Sequence, residues 1–516
     1  MKISAADLLA ESDKLIRKHQ RYMRQMRIDD ERRRRRGSVP ARATLLRPTY
    51  WSVDRGFDPY HVRKNASAIA RAINLALKAG SYSPKSPVAH SIAKPSGGER
   101  ELSIFQIADS VVSRAIYRSL LVKNRALLSA RSYAYRDDLS THDAIQYIAS
   151  EFATDERIFI AEYDFSAYFD SIGHSYVLST LEDNGFLITA AELRVLKAFM
   201  GLGAKLEGSY NDPAISGERT VGIPQGTSVS LFLANVAAWR TDRELERIGV
   251  GFARYADDTL IWSRDYQQIT SAVNFVKAEA ASIGATLNKK KSQGIRLFVE
   301  QGENTEIRST SEVEFVGYRF KRGTIGLKQP VVERMKTRVR YLIWSNLLEP
   351  LQSGTGTSDR VRPPVDRDYV VTLLQIRRYL YGNFSEAKLR ELERGAARRI
   401  RFPGVLAYFP LASDLDQLKD FDGWLLSTLE QALRKRAMLL GRSNSALPVP
   451  FGLRGQALAS AWGETSAGDP IDLRVPSVAR FMSVLRRAAT VYGANFVSRG
   501  TGAEEYQYSF SSSEEN

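Results

Sequence analysis

Three aspartates hold most of the chemistry that this sequence offers. Asp257 and Asp258 stand side by side in Phe252-Ala253-Arg254-Tyr255-Ala256-Asp257-Asp258-Thr259-Leu260-Ile261-Trp262, which reads as two short β segments around a tight turn. Asp164 closes the β-prone run Ile158-Phe159-Ile160 in IFIAEYDFS. Taken singly, an Asp-Asp turn is an ordinary exposed turn, and Asp164 reads equally as the N-cap of the segment after it. Together the three demand more, because a carboxylate at the end of a buried strand is costly without a cation or a hydrogen-bond partner. The chain has no cysteine and only five histidines, so a metal here would rest on oxygen ligands, which favours magnesium, with manganese second. Two such ions roughly 3.5–4 Å apart suit nucleotidyl transfer, one at the attacking hydroxyl and one at the triphosphate.

The elements that position these acids belong to a chain of 516 residues, long enough for two to four packed units. Residues 1–45 read as a basic helical arm, with Leu8, Leu9, Leu15, Ile16, Tyr22 and Met23 at helical spacing. The arm ends in the run Arg32 to Arg36, broken by Gly37 and Pro40. Residues 46 to about 155 look helical around a loop-rich interruption at Pro84, Pro87 and Pro95. A turn, an apolar helix and a hairpin follow within 222–263, then alternating helix and strand to 325. From 326 the sequence is helical and basic, with Lys328, Arg334, Lys336, Arg338 and Arg340, and the tail after Ser498 is polar. There is no fixed-period repeat. The fold class expected is α+β.

A formal net charge of +16 and a pI near 9.7 point to a polyanionic partner, which phosphate neutralisation would bind without regard to sequence. No apolar run reaches the ~20 residues of a membrane span, and no membrane partner is expected. Acidic residues in MKISAADLLAESDK occupy the place of a secretory core, so a cytoplasmic protein is expected.

In their order, these segments resemble the motifs of reverse transcriptases, especially the bacterial ones related to group II intron proteins, retrons and abortive-infection systems. The resemblance covers roughly residues 65–325. It implies a right-hand polymerase: fingers and palm at 46–325, a helical thumb at 326–440 and a helical C-terminal extension at 441–516. Ser81-Tyr82-Ser83-Pro84, Ala93-Lys94-Pro95 and Arg100-Glu101-Leu102-Ser103-Ile104 are similar to the first fingers motif, which makes Lys94 and Arg100 candidates for gripping the triphosphate. Ser132-Tyr133-Ala134-Tyr135-Arg136 is similar to the second, although Asp137-Asp138-Leu139 stand where relatives carry a glycine and a basic residue.

Asp164 to Asp170 matches the first palm motif. The resemblance implies metal ligation by Asp164, Asp257, Asp258 and the backbone carbonyl of Phe165. It also places Phe165 and Phe169 at the nucleotide, with Phe169 as an aromatic gate against a 2′-hydroxyl. Gly222-Ile223-Pro224-Gln225-Gly226-Thr227-Ser228 resembles the second palm motif, with Gly222, Pro224 and Gly226 beside the template and Gln225 on the nucleotide. Tyr255 belongs to the Tyr-x-Asp-Asp core and is placed at the template and primer. In Asn288-Lys289-Lys290-Lys291-Ser292, Lys291 is a catalytic candidate near the pyrophosphate. Phe315-Val316-Gly317-Tyr318 resembles a primer grip, with Gly317 and Tyr318 in that role.

The resemblance implies DNA synthesis from deoxynucleoside triphosphates on an RNA template or dedicated non-coding RNA, with magnesium. Leu231-Phe232, where intron relatives have proline, is a variant of the defence-associated branch and implies a role against phage. Tyr506 or Tyr508 would prime in a protein-primed or untemplated version. No nuclease motif is evident, and homo-oligomerisation is left open. The rival readings are a maturase-like RNA-binding protein and an RNA-directed RNA polymerase.

Overall fold

The computed structural model describes residues 2–35, 47–93, 98–153, 157–212, 219–288, 292–303, 305–353, 361, 363–382, 384–394, 404–441 and 448–494. Lys94, Lys291, Arg36, Tyr506 and Tyr508 lie outside the described residues.

Helix α1 (Ala5–Arg35) opens the chain and is followed by α2 (Pro59–Lys64) and α3 (Ala66–Ala79). The first half of α1 is not a free arm. Ile3, Leu8 and Ile16 are buried, Asn74 holds both backbone groups of Ile3, and Glu11 pairs with Arg114 at 2.5 Å. The stretch expected to be helical contains an antiparallel hairpin, β1 (Val88–Ala93) and β2 (Glu99–Ile104), before α4 (Ile107–Asn124) and α5 (Thr141–Phe152). Ser140 and Asp143 close a capping box at the start of α5, satisfying backbone donors that a helix end otherwise leaves open.

The central strand β3 (Ile158–Tyr163) is followed by β4 (Phe165–Ser166), α6 (Tyr168–Ser171), α7 (His174–Asp183), α8 (Ala190–Met200), α9 (Ser228–Ala237) and α10 (Trp239–Ile248). Nine of the ten residues of α9 are buried, as expected of a helix apolar on every face. Next come β5 (Gly251–Tyr255), β6 (Asp258–Ser263), α11 (Tyr266–Ile283), β7 (Thr286–Leu287), β8 (Arg296–Phe298) and β9 (Ser309–Thr310). The main sheet runs β5-β6-β3-β8-β9, antiparallel except for the last pair. A second sheet, β10 (Val313–Phe315), β11 (Tyr318–Lys321) and β12 (Thr324–Leu327), extends two residues past the expected boundary at 325.

The rest is largely helical: α12 (Gln329–Ile343), α13 (Glu349–Gln352), α14 (Arg367–Tyr381), α15 (Glu386–Glu393), α16 (Leu415–Leu440), α17 (Gly455–Ala459) and α18 (Val478–Tyr492), with the small hairpin β13 (Trp462–Glu464) and β14 (Pro470–Asp472) before α18. The division expected at 440 cuts through one apolar core. Phe481 of α18 stacks on Tyr381 of α14 at 4.2 Å, and both share a cluster with Leu418 and Leu425 of α16. A separate core joins α4, α6, α8 and α9 through Val112, Phe169, Leu196 and Phe232. Among the described residues, no helix is long and apolar enough to cross a membrane.

Candidate active site

Strand pairing fixes the acids before any ligand is considered. Tyr255 pairs with Asp258, so Ala256 and Asp257 alone form the turn of the β5–β6 hairpin. Ala256 has φ +58°, in the left-handed region that favours glycine. Alanine there costs about 1–2 kcal/mol, the left-handed penalty of an L residue. On the other side of β6, Tyr163 pairs with Thr259, and one further step in that register sets Asp164 opposite Asp258. The three carboxyl groups therefore gather at one corner of the main sheet.

The corner concentrates negative charge. Burial pushes the Asp257 carboxyl up to about 6, and the charges of Asp258 and Asp164 push the same way. Arg100 on β2 is near enough to oppose them weakly. Asp164 is 9% exposed and is held by Asn288, whose side-chain amide donates to Oδ2 at 3.1 Å and whose backbone N–H donates to the Asp164 carbonyl at 2.8 Å. Among the described residues, no group of three or more histidine, cysteine, aspartate or glutamate side chains is arranged to hold a metal ion. The donor chemistry nonetheless suits a hard divalent cation: oxygen ligands only, mutually repelling, on two rigid strands.

Beneath the turn lies a buried network that the sequence did not disclose. Arg254, 1% exposed, donates to Asp242 at 2.7 and 2.6 Å, to Ser132 Oγ at 2.6 Å and to Asn235 Oδ1 at 3.3 Å. Its remaining bond goes to the carbonyl of Ala256 at 3.0 Å and so clamps the strained turn from below. An arginine inside an apolar strand was the available signal, since a buried guanidinium requires an acid.

Other expected residues are placed differently. Gln225 does not point at a nucleotide; its amide donates to both carboxylate oxygens of Asp170, at 3.2 and 3.1 Å. Gly222 and Gly226 lie hard against protein backbone. A Cβ on Gly222 would stand 2.7 Å from the Asp170 carbonyl, and one on Gly226 would stand 2.3 Å from that of Ser103. Pro224 is buried between them. Phe169 is 8% exposed and meets Tyr135 and Tyr168 edge-on, so most of its ring is core. Phe165 is buried against Tyr168, with its backbone paired to Leu287. Tyr255 is half-buried at the mouth of the hairpin. Tyr318 faces inward at 1% exposure, its hydroxyl donated to the Tyr408 carbonyl, which leaves only its backbone and Gly317 at the turn.

With this geometry in view, the comparisons have a place. Residues 92–320 match the family model described as reverse transcriptase (RNA-dependent DNA polymerase). The matched stretch, less than half of the chain, is similar to reverse-transcriptase domains. Its span takes in Arg100, the three aspartates, the Arg254 network and the second sheet up to Phe320. Two curated fungal proteins are similar to the chain: a COX1/OXI3 intron 1 protein of Saccharomyces cerevisiae, 27% identical over 159 residues, and an uncharacterized 91 kDa protein in the cob intron of Schizosaccharomyces pombe, 28% identical over 161. Each alignment covers 30% of this chain and 18% of the relative. Among solved structures, telomerase from Candida albicans in complex with a fragment of telomeric RNA is 12% identical, covering 70% of this chain and 64% of that one, with a TM-score of 0.36. The corresponding Candida tropicalis complex is 13% identical, covering 73% and 66%, with a TM-score of 0.37. The fold of the matched stretch is α+β, consistent with a right-hand polymerase in which the five-stranded sheet is the palm and the β1–β2 hairpin part of the fingers.

Proposed function

We propose that this chain is an RNA-directed DNA polymerase that adds deoxynucleotides to a growing strand. The observation that carries this reading is the corner itself, where Asp164 lies in register with Asp258 beside an Asp257 that resists ionisation. Asp164, Asp257 and Asp258 would hold the magnesium ions. Bound there, the ions lower the pKa of the attacking hydroxyl and screen the triphosphate. Asn288 fixes the Asp164 carboxylate, and Arg254 fixes the turn, so that neither acid has to reorganise when substrate arrives. Arg100 supplies positive charge on the fingers side, where a triphosphate would enter. The exposed edge of Phe169 disfavours a 2′-hydroxyl.

The finer setting follows the same sequence signals. We propose a cytoplasmic bacterial enzyme of antiphage defence acting with a dedicated non-coding RNA, with Leu231-Phe232 as the supporting variant and priming from Tyr506 or Tyr508 as one route. A maturase-like RNA-binding role would not need the charged corner, and an RNA-directed RNA polymerase would not need Phe169.

The deciding experiment supplies labelled deoxynucleotides or ribonucleotides to protein purified with its bound RNA, beside Asp257→Ala/Asp258→Ala. Deoxynucleotide polymer that disappears in the double variant is expected. Polymer that persists in it would overturn the assignment, and ribonucleotide polymer alone would favour the RNA polymerase. Phe169→Ala should admit ribonucleotides; unchanged sugar selection would remove its gating role. Protease-sensitive migration of the product would indicate a protein primer.

A further inference from the structure

Among the described residues, the non-glycine positions at positive φ are Tyr135, Ala167, Ala256 and Val316, and Tyr135 is the bulkiest of them. It lies between α4 and α5 at φ +61°, a left-handed conformation that an L side chain rarely adopts. Such strain persists only where neighbours over-determine it, and it gathers where a side chain has to be presented one way. The neighbours do so here. The Arg254 guanidinium donates to Ser132 Oγ at 2.6 Å, and Tyr133 N–H donates to the Arg254 carbonyl at 2.9 Å. The Asn235 side-chain amide donates to the Ala134 carbonyl at 3.0 Å, and the Tyr117 hydroxyl donates to the Tyr135 carbonyl at 2.7 Å. Arg136 donates to the Ser129 carbonyl and to Asp138 Oδ2, each at 2.6 Å. Every residue from Ser132 to Arg136 is thus pinned by at least one bond.

What this rigid segment presents is one half-buried ring. The Tyr135 ring meets that of Phe169 at a centroid distance of 6.2 Å and an interplanar angle of 83°, an edge-to-face contact. Tyr168 meets Phe169 in the same manner, at 6.1 Å and 87°. Tyr168 is itself core, with its hydroxyl donated to the Ala234 carbonyl at 2.9 Å. Phe169 is therefore bracketed by two tyrosines, one anchored in the palm and one carried by the strained segment. The same segment reaches the clamp under the aspartate turn through Ser132 and Tyr133, both bonded to Arg254. An apolar site rejects an added hydroxyl poorly, because the extra volume is small and a mobile wall yields to it. A ring that excludes a 2′-hydroxyl has to be kept from moving.

We propose that Tyr135 is a positioning residue for sugar selection, its ring bracing Phe169 in the orientation that excludes a 2′-hydroxyl. The inference rests on the polymerase reading and on the gating role of Phe169 within it. Tyr135 acts through Phe169 and not on the nucleotide directly. The strained backbone is what aims the tyrosine ring at the phenylalanine ring, and the bonds from Ser132 to Arg136 keep it aimed.

The test measures kcat/KM for a deoxynucleotide and for the matching ribonucleotide, using the full-length protein with its bound RNA and added magnesium. The ratio of the two does not depend on how much of a variant folds. Tyr135→Ala should lower that ratio by about tenfold or more, the scale on which a small change of fit in a pocket acts. Tyr135→Gly accepts φ +61° without strain, so an equal fall there traces the effect to the lost ring and not to the backbone. Tyr135→Phe keeps the ring and should keep the ratio. Adding Tyr135→Ala to Phe169→Ala should lower the ratio no further than Phe169→Ala alone, because one residue acts through the other. An unchanged ratio in the alanine and glycine variants, a fall in Tyr135→Phe, or additive effects in the double variant would each overturn the proposal. Selection that collapses in Phe169→Ala but survives in Tyr135→Ala sinks this inference alone. Unaltered selection in Phe169→Ala removes the gate and its brace together, and a wild type that incorporates neither sugar sinks the polymerase reading with both.

Discussion

Two groups of buried aspartates sit in different parts of this molecule, and the chain treats them in opposite ways. In the C-terminal helical region, Asp366 and Asp368 at the start of α14 converge on Arg436 of α16, with bonds of 2.8, 3.3 and 3.0 Å. Arg436 also donates to the Leu347 carbonyl at 2.6 Å, so the cluster is closed. In the palm, Arg254 does the same for Asp242, while Asp164, Asp257 and Asp258 just beyond it crowd their charges together, opposed at Asp257 by Arg100 from the fingers side. Where aspartates serve architecture, the protein supplies its own guanidinium. Where they stand at the sheet corner, their proposed role is to hold a cation from outside.

The comparison is broken most directly at Asp164. Asp164→Asn should lower incorporation by at least on the order of 10²–10³-fold, the scale on which one preorganised electrostatic contact acts in a transition state. The fold should persist, since Asn288 can still hold an amide; near-normal turnover in a primer-extension assay would mean that the corner needs no outside cation.

The two arginines come next. Arg254→Met and Arg436→Met each strand a buried acid and should each cost about 3–5 kcal/mol in denaturant unfolding. Only Arg254→Met should also reduce kcat per folded molecule, because it releases the Ala256 carbonyl. An equal fall in kcat for Arg436→Met would erase the distinction between the regions.

Proton linkage sharpens the contrast further. The folded-state Asp257 pKa, about 6, lies above the ordinary aspartate value. The folded protein therefore holds this proton more tightly than the unfolded chain. The stability so gained is complete below about pH 4 and is lost as pH rises through about 6. In metal-free buffer Asp257→Asn should stabilise the protein at pH 7.5 by about 1–3 kcal/mol and give no gain below pH 4. Magnesium should give the wild type a similar gain at pH 7.5 and the variant much less. A flat difference across pH would contradict the charged corner.

The smallest effect is expected at the turn. Ala256→Gly removes left-handed strain but adds freedom to the unfolded chain, so the net change should be within about 1 kcal/mol. A thermal shift beyond a few degrees would mean that the Arg254 clamp does not set the turn.

The parts of the site that were legible in the sequence are those written by adjacent residues. Alternation through Phe252–Trp262 and the apolar run before Asp164 are local signals, and β5, β6 and β3 follow them. The β1–β2 hairpin was missed because only Val88 of β1 is fully buried, which leaves no alternating pattern, and the nearby prolines read as loop. Side-chain direction was hidden for another reason. Gln225 finds Asp170 across 55 positions and Tyr318 finds Tyr408 across 90, and no short motif encodes which way such residues turn. Asp242 was hidden within WRTDRELERI, whose dense charges suggest an exposed helix until Arg254 claims one of them. The C-terminal packing was hidden similarly, since the stacked ring of Phe481 lies 100 residues from Tyr381.

The root of the fingers hairpin has one more consequence. Ser103 N–H donates to the Gln225 carbonyl at 2.6 Å, while Gly226 allows the same strand to lie against the loop without a side chain between them. That contact is a fulcrum. Arg100 sits three residues out along β2, a lever arm of about 10 Å at strand rise. Rocking the hairpin by ~20° about this pivot would carry the guanidinium some 3–4 Å, by the same strand geometry. Small rotations there act as a dimmer on the positive potential felt by Asp257, so the electrostatics of the corner become a mechanical variable set from the hairpin root.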